Sequence, residues 1–164
     1  MIGGEFTQVN GVSRVGLARL SNENAVARTQ FDYDGDGRAD VSVFRPSSGV
    51  WYTSTNPAVN YGAIQFGQSG DKLVPADYDG DGRTDVAVFR NGTWYLNRSQ
   101  NGFVSIAFGL ATDIPVPADY DGDGKADVAV FRNRTWYLNR TTQGFLGIGF
   151  GVGGDLPTPN SYVR

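Results

Sequence analysis

Cysteine and histidine are both absent from this chain of 164 residues. Without thiols there are no disulfides and no cysteine nucleophiles. Without imidazoles the usual zinc sites and every Ser-His-Asp triad are excluded as well. A strong charge of either sign is also missing: 14 Lys and Arg stand against 17 Asp and Glu, for a formal charge of −3. A nucleic-acid surface normally shows a clustered basic excess, so no nucleic-acid partner is expected. No apolar run approaches the roughly 18 residues of a membrane helix, and no membrane insertion is expected. The opening Met1-Ile2-Gly3-Gly4-Glu5 has neither the basic start nor the apolar core of a secretory signal. Lysine and glutamate are scarce, whereas glycine reaches 23 residues and aromatics 13%. That mixture suits short strands joined by tight turns. The expectation is a soluble, extracellular-leaning, all-β chain with little catalytic equipment.

The acids that are present are concentrated. Twelve of the 17 lie in three short loops: Asp32, Asp34, Asp36 and Asp40; Asp77, Asp79, Asp81 and Asp85; Asp119, Asp121, Asp123 and Asp127. Four carboxylates within nine residues repel one another unless a cation holds them. One such loop reads equally as a solvated acidic turn, but three copies of one spacing do not.

A repeat organises the chain. Residues 74–115 and 116–157 align without a gap at an offset of 42, with 29 identities. An earlier copy begins near Phe31, and its three extra residues fall two before Trp51 and one between Trp51 and Phe66. Each copy reads as four short strands, in the second about Val74–Tyr78, Asp85–Arg90, Thr93–Asn97 and Phe103–Phe108. Val86 and Val88 lie on one face of the second strand, Ala87 and Phe89 on the other. Apolar groups on both faces imply a sheet covered on both sides. Four-stranded units of this length, stacked face to face, describe a β-propeller-like array of antiparallel blades. The units are a partial blade at 1–28, three complete blades at 29–73, 74–115 and 116–157, and a terminal strand at 158–164.

The loops follow Asp-Tyr-Asp-Gly-Asp-Gly-x-x-Asp. Carboxylates at positions 1, 3 and 5 converge when the chain coils tightly, and Gly37, Gly82 and Gly124 permit the turn. The carbonyls of Arg38, Arg83 and Lys125 at position 7 can face inward. Asp40, Asp85 and Asp127 close the loop at position 9. Hard oxygen donors of this kind select calcium over magnesium, about three ions in all. An EF-hand would need Glu at position 12, where Val43, Val88 and Val130 stand.

The loops, the following Val-Ala-Val-Phe and the recurrent Phe-Gly over residues 29–157 resemble FG-GAP/VCBS repeats, as in integrin alpha-chain propellers. Residues 2–20 are similar to part of a delta-sixty repeat. The first resemblance implies calcium loops at blade edges and an extracellular or cell-surface location. Together they imply the carboxy-terminal part of a large secreted bacterial protein, in which no leader is expected here. The function so implied is a non-enzymatic, calcium-stabilised interaction or adhesion module whose protein or glycan ligand is unknown.

Two alternatives accompany it. Trp51, Trp94 and Trp136 recur at one place in each repeat. Their faces suit sugar stacking in a lectin, although core packing explains a repeated tryptophan more simply. A structural subunit of an extracellular assembly is the other, since uncovered end blades favour a homo-oligomer. Asp71, Asp113 and Asp155 read as turn formers. The pairs Phe44-Arg45, Phe89-Arg90 and Phe131-Arg132 place an arginine at a strand end, expected beside the loop acids.

Overall fold

The computed structural model describes residues 8–9, 12–13, 29–56 and 60–158. Every regular element among them is a strand. β1 (Gln8–Val9) and β2 (Val12–Ser13) form a small antiparallel hairpin. The remainder of the expected amino-terminal partial blade, and residues 159–164 of the terminal strand, lie outside the described residues. β3 (Val41–Arg45), β4 (Val50–Asn56) and β5 (Asn60–Gln65) make a first antiparallel sheet. β6 (Lys72–Leu73), β7 (Val86–Arg90), β8 (Thr93–Arg98) and β9 (Gly102–Ala107) make a second. β10 (Ile114–Pro115), β11 (Val128–Arg132), β12 (Thr135–Arg140) and β13 (Gly144–Gly149) make a third. The second and third sheets thus have the four strands expected of each repeat, in sequential order. In the first copy, the place equivalent to β6 falls on residues 27–28, outside the described residues.

The first strands of the second and third repeats depart from expectation. In the second repeat the ladder starts at Lys72 and Leu73 rather than Val74, continues with a Val74 N–H bond to the Ala87 carbonyl (3.0 Å), and ends in one bridge between Ala76 and Asp85. Pro75 has no N–H to give, so the ladder is interrupted there. Pro117 does the same in the third sheet, between the Val116–Ala129 bond and the Ala118–Asp127 bridge. Asn91 and Gly92, with φ of 51° and 82°, make the two-residue turn that twists β7 into β8. Asn133 and Arg134 repeat it at 50° and 67°. The insertions of the first copy lie in the longer β3–β4 connection and at a register shift between Thr53 and Asn56. Loops and strand edges absorb extra residues without disturbing the packed faces.

The sheets pack face to face through alternating residues of their central strands. Val86 and Val88 of β7 lie against Trp51 of the first sheet. Ala87, Phe89, Trp94 and Leu96 point the other way, to Val128 and Val130 of the third. A further cluster of Val116, Ala129, Phe131 and Leu138, all 6% exposed or less, lies on the face of the third sheet turned away from the second, with Trp136 packed against it. The Trp51 and Trp94 N–H groups donate to the carbonyls of Phe66 (2.8 Å) and Phe108 (3.0 Å). Those two rings are buried core, so their faces are closed to a sugar. The sugar-contact reading is corrected accordingly, and only Trp136 is half-exposed.

Candidate metal centres

The acidic loops of the second and third repeats lie between the first and second strands, that of the first repeat precedes β3, and each is folded by its own carboxylates. The position-1 aspartate accepts two backbone N–H bonds. Asp77 takes those of Gly80 (2.6 Å) and Gly82 (2.9 Å), and Asp32 and Asp119 bind Gly35 and Gly37, Gly122 and Gly124 in the same way. Gly82 has φ of 89°, a conformation that side-chain-bearing residues avoid. At position 9, Asp40, Asp85 and Asp127 accept the N–H of Tyr33, Tyr78 and Tyr120 at 2.8–2.9 Å. At position 5, Asp36, Asp81 and Asp123 accept the N–H of Arg38, Arg83 and Lys125, all at 2.8 Å.

These bonds bring acids of each loop into one cluster, but the members differ. In the first loop Asp32, Asp34 and Asp36 each offer an oxygen within 4.8 Å of the others. The second loop instead gathers Asp77, Asp79 and Asp85, and the third Asp119, Asp121 and Asp127. Position 5 is replaced by position 9 in those two because Asp81 and Asp123 turn aside. Each accepts a hydroxyl bond at 2.6 Å, from Ser99 and Thr141.

Ser99 and Thr141 belong to a contributor that the repeat motif does not announce, the turn joining the last two strands of each sheet. Ser99 N–H donates to Asp85 (2.7 Å), and Gln100 and Asn101 N–H donate to Asp79 (3.1 and 2.9 Å). In the third sheet Thr141, Thr142 and Gln143 serve Asp127 and Asp121. The only sequence signal was a small hydroxyl residue at the same point of two repeats.

The electrostatics favour a cation. Burial pushes the Asp85 carboxyl up to about 6, against the N–H bonds of Ser99 and Tyr78 that oppose the shift. Burial raises Asp127 too. Asp121 is held below the ordinary carboxylate range, chiefly by the Thr142 hydroxyl. Asp79 is 8% exposed, and its Oδ1 is buried without a hydrogen-bond partner, as is Oδ1 of Asp40. A buried carboxylate oxygen left bare is costly unless something positive meets it. A divalent cation supplies such a partner, and all-oxygen donors suit calcium.

The arginines after the phenylalanines do not reach these loops. Arg90 pairs with Asp71 (2.5 Å) and Arg132 with Asp113 (3.1 Å), beyond the far end of the strand from the acids. Asp71 and Asp113 also accept N–H bonds from Gln68 and Leu110. They form turns as expected, and additionally anchor an arginine.

Residues 32–88 and 77–130, together more than half of the chain, match the family model of the FG-GAP-like repeat. Neither the curated proteins nor the solved structures gave a match.

Proposed function

Because the chain belongs to the FG-GAP-like repeat family, we propose that it is a calcium-stabilised interaction module of an extracellular protein, its sheets stacked as propeller blades. The observation that carries the reading is the bare, buried Oδ1 of Asp79 inside a cluster with Asp77 and Asp85. Asp77, Asp79 and Asp85 would hold one ion, Asp119, Asp121 and Asp127 a second, and Asp32, Asp34 and Asp36 a third. Calcium would supply charge neutralisation and no chemistry. Three bound ions would carry the formal charge from −3 to +3.

The blade arrangement is supported by one cleft of about 170 Å³. Phe31, Ala76 and Ala118, which stand at equivalent places near the inner edge of the three sheets, all line it. An adhesion-type role outside the cell accords with the family, whose repeats are not enzymes. No helix among the described residues is long and apolar enough to cross a membrane. The lectin alternative has lost its two buried tryptophans.

Calorimetric titration of chelator-treated protein with calcium should count about three sites, and Asp79→Asn should remove one of them. At a free concentration of 100 Kd each site adds about 2.7 kcal/mol to stability, so melting should rise steeply with calcium. Identical melting in calcium and in excess chelator overturns the reading.

A further inference from the structure

The two junctions between successive sheets repeat one set of contacts. Where the first sheet meets the second, Phe66 stacks edgewise on Phe103 with ring centres 6.2 Å apart. A β-carbon at Gly67 would stand 3.1 Å from Val88 Cγ1, a tight contact, and its φ of 99° is one that favours glycine. Asp71, which follows the first sheet, pairs with Arg90 of the second. Where the second sheet meets the third, Phe108 stacks on Phe145 at 6.3 Å, a β-carbon at Gly109 would stand 3.0 Å from Val130 Cγ1, and Asp113 pairs with Arg132. The acidic loops are stitched in the same sense. Thr84 N–H donates to the Asp32 carbonyl (2.6 Å) and Ala126 N–H to that of Asp77 (2.7 Å). Arg83 covers Gly35, and Lys125 covers Gly80.

The rims of the two outer faces carry the two separated halves of this same junction, whereas Ala129 and Leu138 at the centre of the third sheet's outer face are buried. On the third sheet, Phe150 takes the place of Phe66 and Phe108 but is 74% exposed. Gly151 meets only Asp155, Gly122 has open space where Gly35 and Gly80 are covered, and Asp155 faces no cation among the described residues. On the first sheet, Tyr61 takes the place of Phe103 and Phe145, and Val43 that of Val88 and Val130. They are 64% and 63% exposed. Arg45, equivalent to Arg90 and Arg132, lies over the Tyr52 ring (4.4 Å) and faces no carboxylate among the described residues.

We infer that the third sheet of one copy docks on the first sheet of a second copy, head to tail. Phe150 then meets Tyr61, Gly151 meets Val43, and Asp155 pairs with Arg45. The occupant is specified by complementarity: an acid, a glycine notch and a ring that meet no partner among the described residues lie on one face, and their counterparts lie on the other. A head-to-tail contact closes into a ring or runs on as a filament. Two copies bring six such sheets, within the four to eight blades typical of closed propellers. The inference rests on the packing of the sheets and does not require that the acidic clusters hold calcium.

The test is solution mass with paired charge reversals. By sedimentation at about 100 µM, where contacts with Kd of about 10 µM or tighter are mostly formed, the full chain should run at close to twice its 17.7 kDa or more. Arg45→Asp alone and Asp155→Arg alone should each weaken association at least about tenfold, because like charges then face each other at every junction. Both residues are exposed, so each variant should keep the circular dichroism of the parent. Mixing the two variants should restore the complex, since the acid introduced in one then meets the arginine introduced in the other. A monomeric parent, or an association indifferent to the reversals and to mixing, overturns the inference.

Discussion

β3 and β7 are nearly the same strand in sequence, Val-Ser-Val-Phe-Arg against Val-Ala-Val-Phe-Arg, yet their surroundings differ completely. Val86 and Val88 are 3% and 0% exposed, whereas Val41 and Val43 are 59% and 63% exposed. The backbone pairing is equivalent in the two sheets, so the strand itself does not decide the burial. A neighbouring sheet does. The apolar pattern of a repeat therefore specifies a junction, and a terminal repeat carries an apolar face whether or not its neighbour is present.

The largest difference is expected between the equivalent tryptophans of the second and third sheets. Trp94 is fully buried and hydrogen-bonded, whereas Trp136 is half-exposed. Trp94→Ala should cost about 3–5 kcal/mol, the usual loss for a buried aromatic ring. Trp136→Ala should cost less than half of that. Both should be measured by denaturant unfolding in the Arg45→Asp background, in which the outer faces are kept apart. Equal losses would mean that the two rings share one environment.

The valines give a smaller contrast. Val88→Ala removes two buried methyl groups and should cost about 2 kcal/mol. Val43→Ala in the same background should stay within about 0.5 kcal/mol, as exposed positions do. In the associating parent, Val43→Ala should also weaken the complex, which sedimentation would detect.

The smallest effect lies in the turns. Arg134 occupies φ of 67° at the point where the second sheet has Gly92. A left-handed conformation strains any side-chain-bearing residue, although glycine has a more costly unfolded state to restrict. Arg134→Gly should therefore stabilise by about 0.5 kcal/mol, readable as a small rise in melting temperature. No rise would show that the third sheet accommodates the arginine without strain.

Much of the candidate site was legible in the sequence. The three loops, their glycines and the closing aspartate at position 9 lie within nine residues, and local hydrogen bonds fold them as the spacing requires. The membership of each cluster was not legible. Whether Asp81 or Asp85 joins Asp77 and Asp79 depends on the Ser99 hydroxyl, 18 residues away from Asp81. The destination of Arg90 was hidden for a similar reason. It pairs with Asp71, on the far side of an entire loop and strand.

By itself the sequence determined the repeat, the all-β class, the four-strand grouping of the second and third copies and the position of the acidic loops. Each of these follows from periodicity, turn chemistry or contacts within a few residues. Tertiary structure alone decided which tryptophans are closed to a ligand, which acids share a centre and which faces remain open. Those properties belong to pairs of surfaces. A residue such as Val43 or Val88 has the same local preferences in either setting, and its burial is fixed by whatever sheet is packed against it.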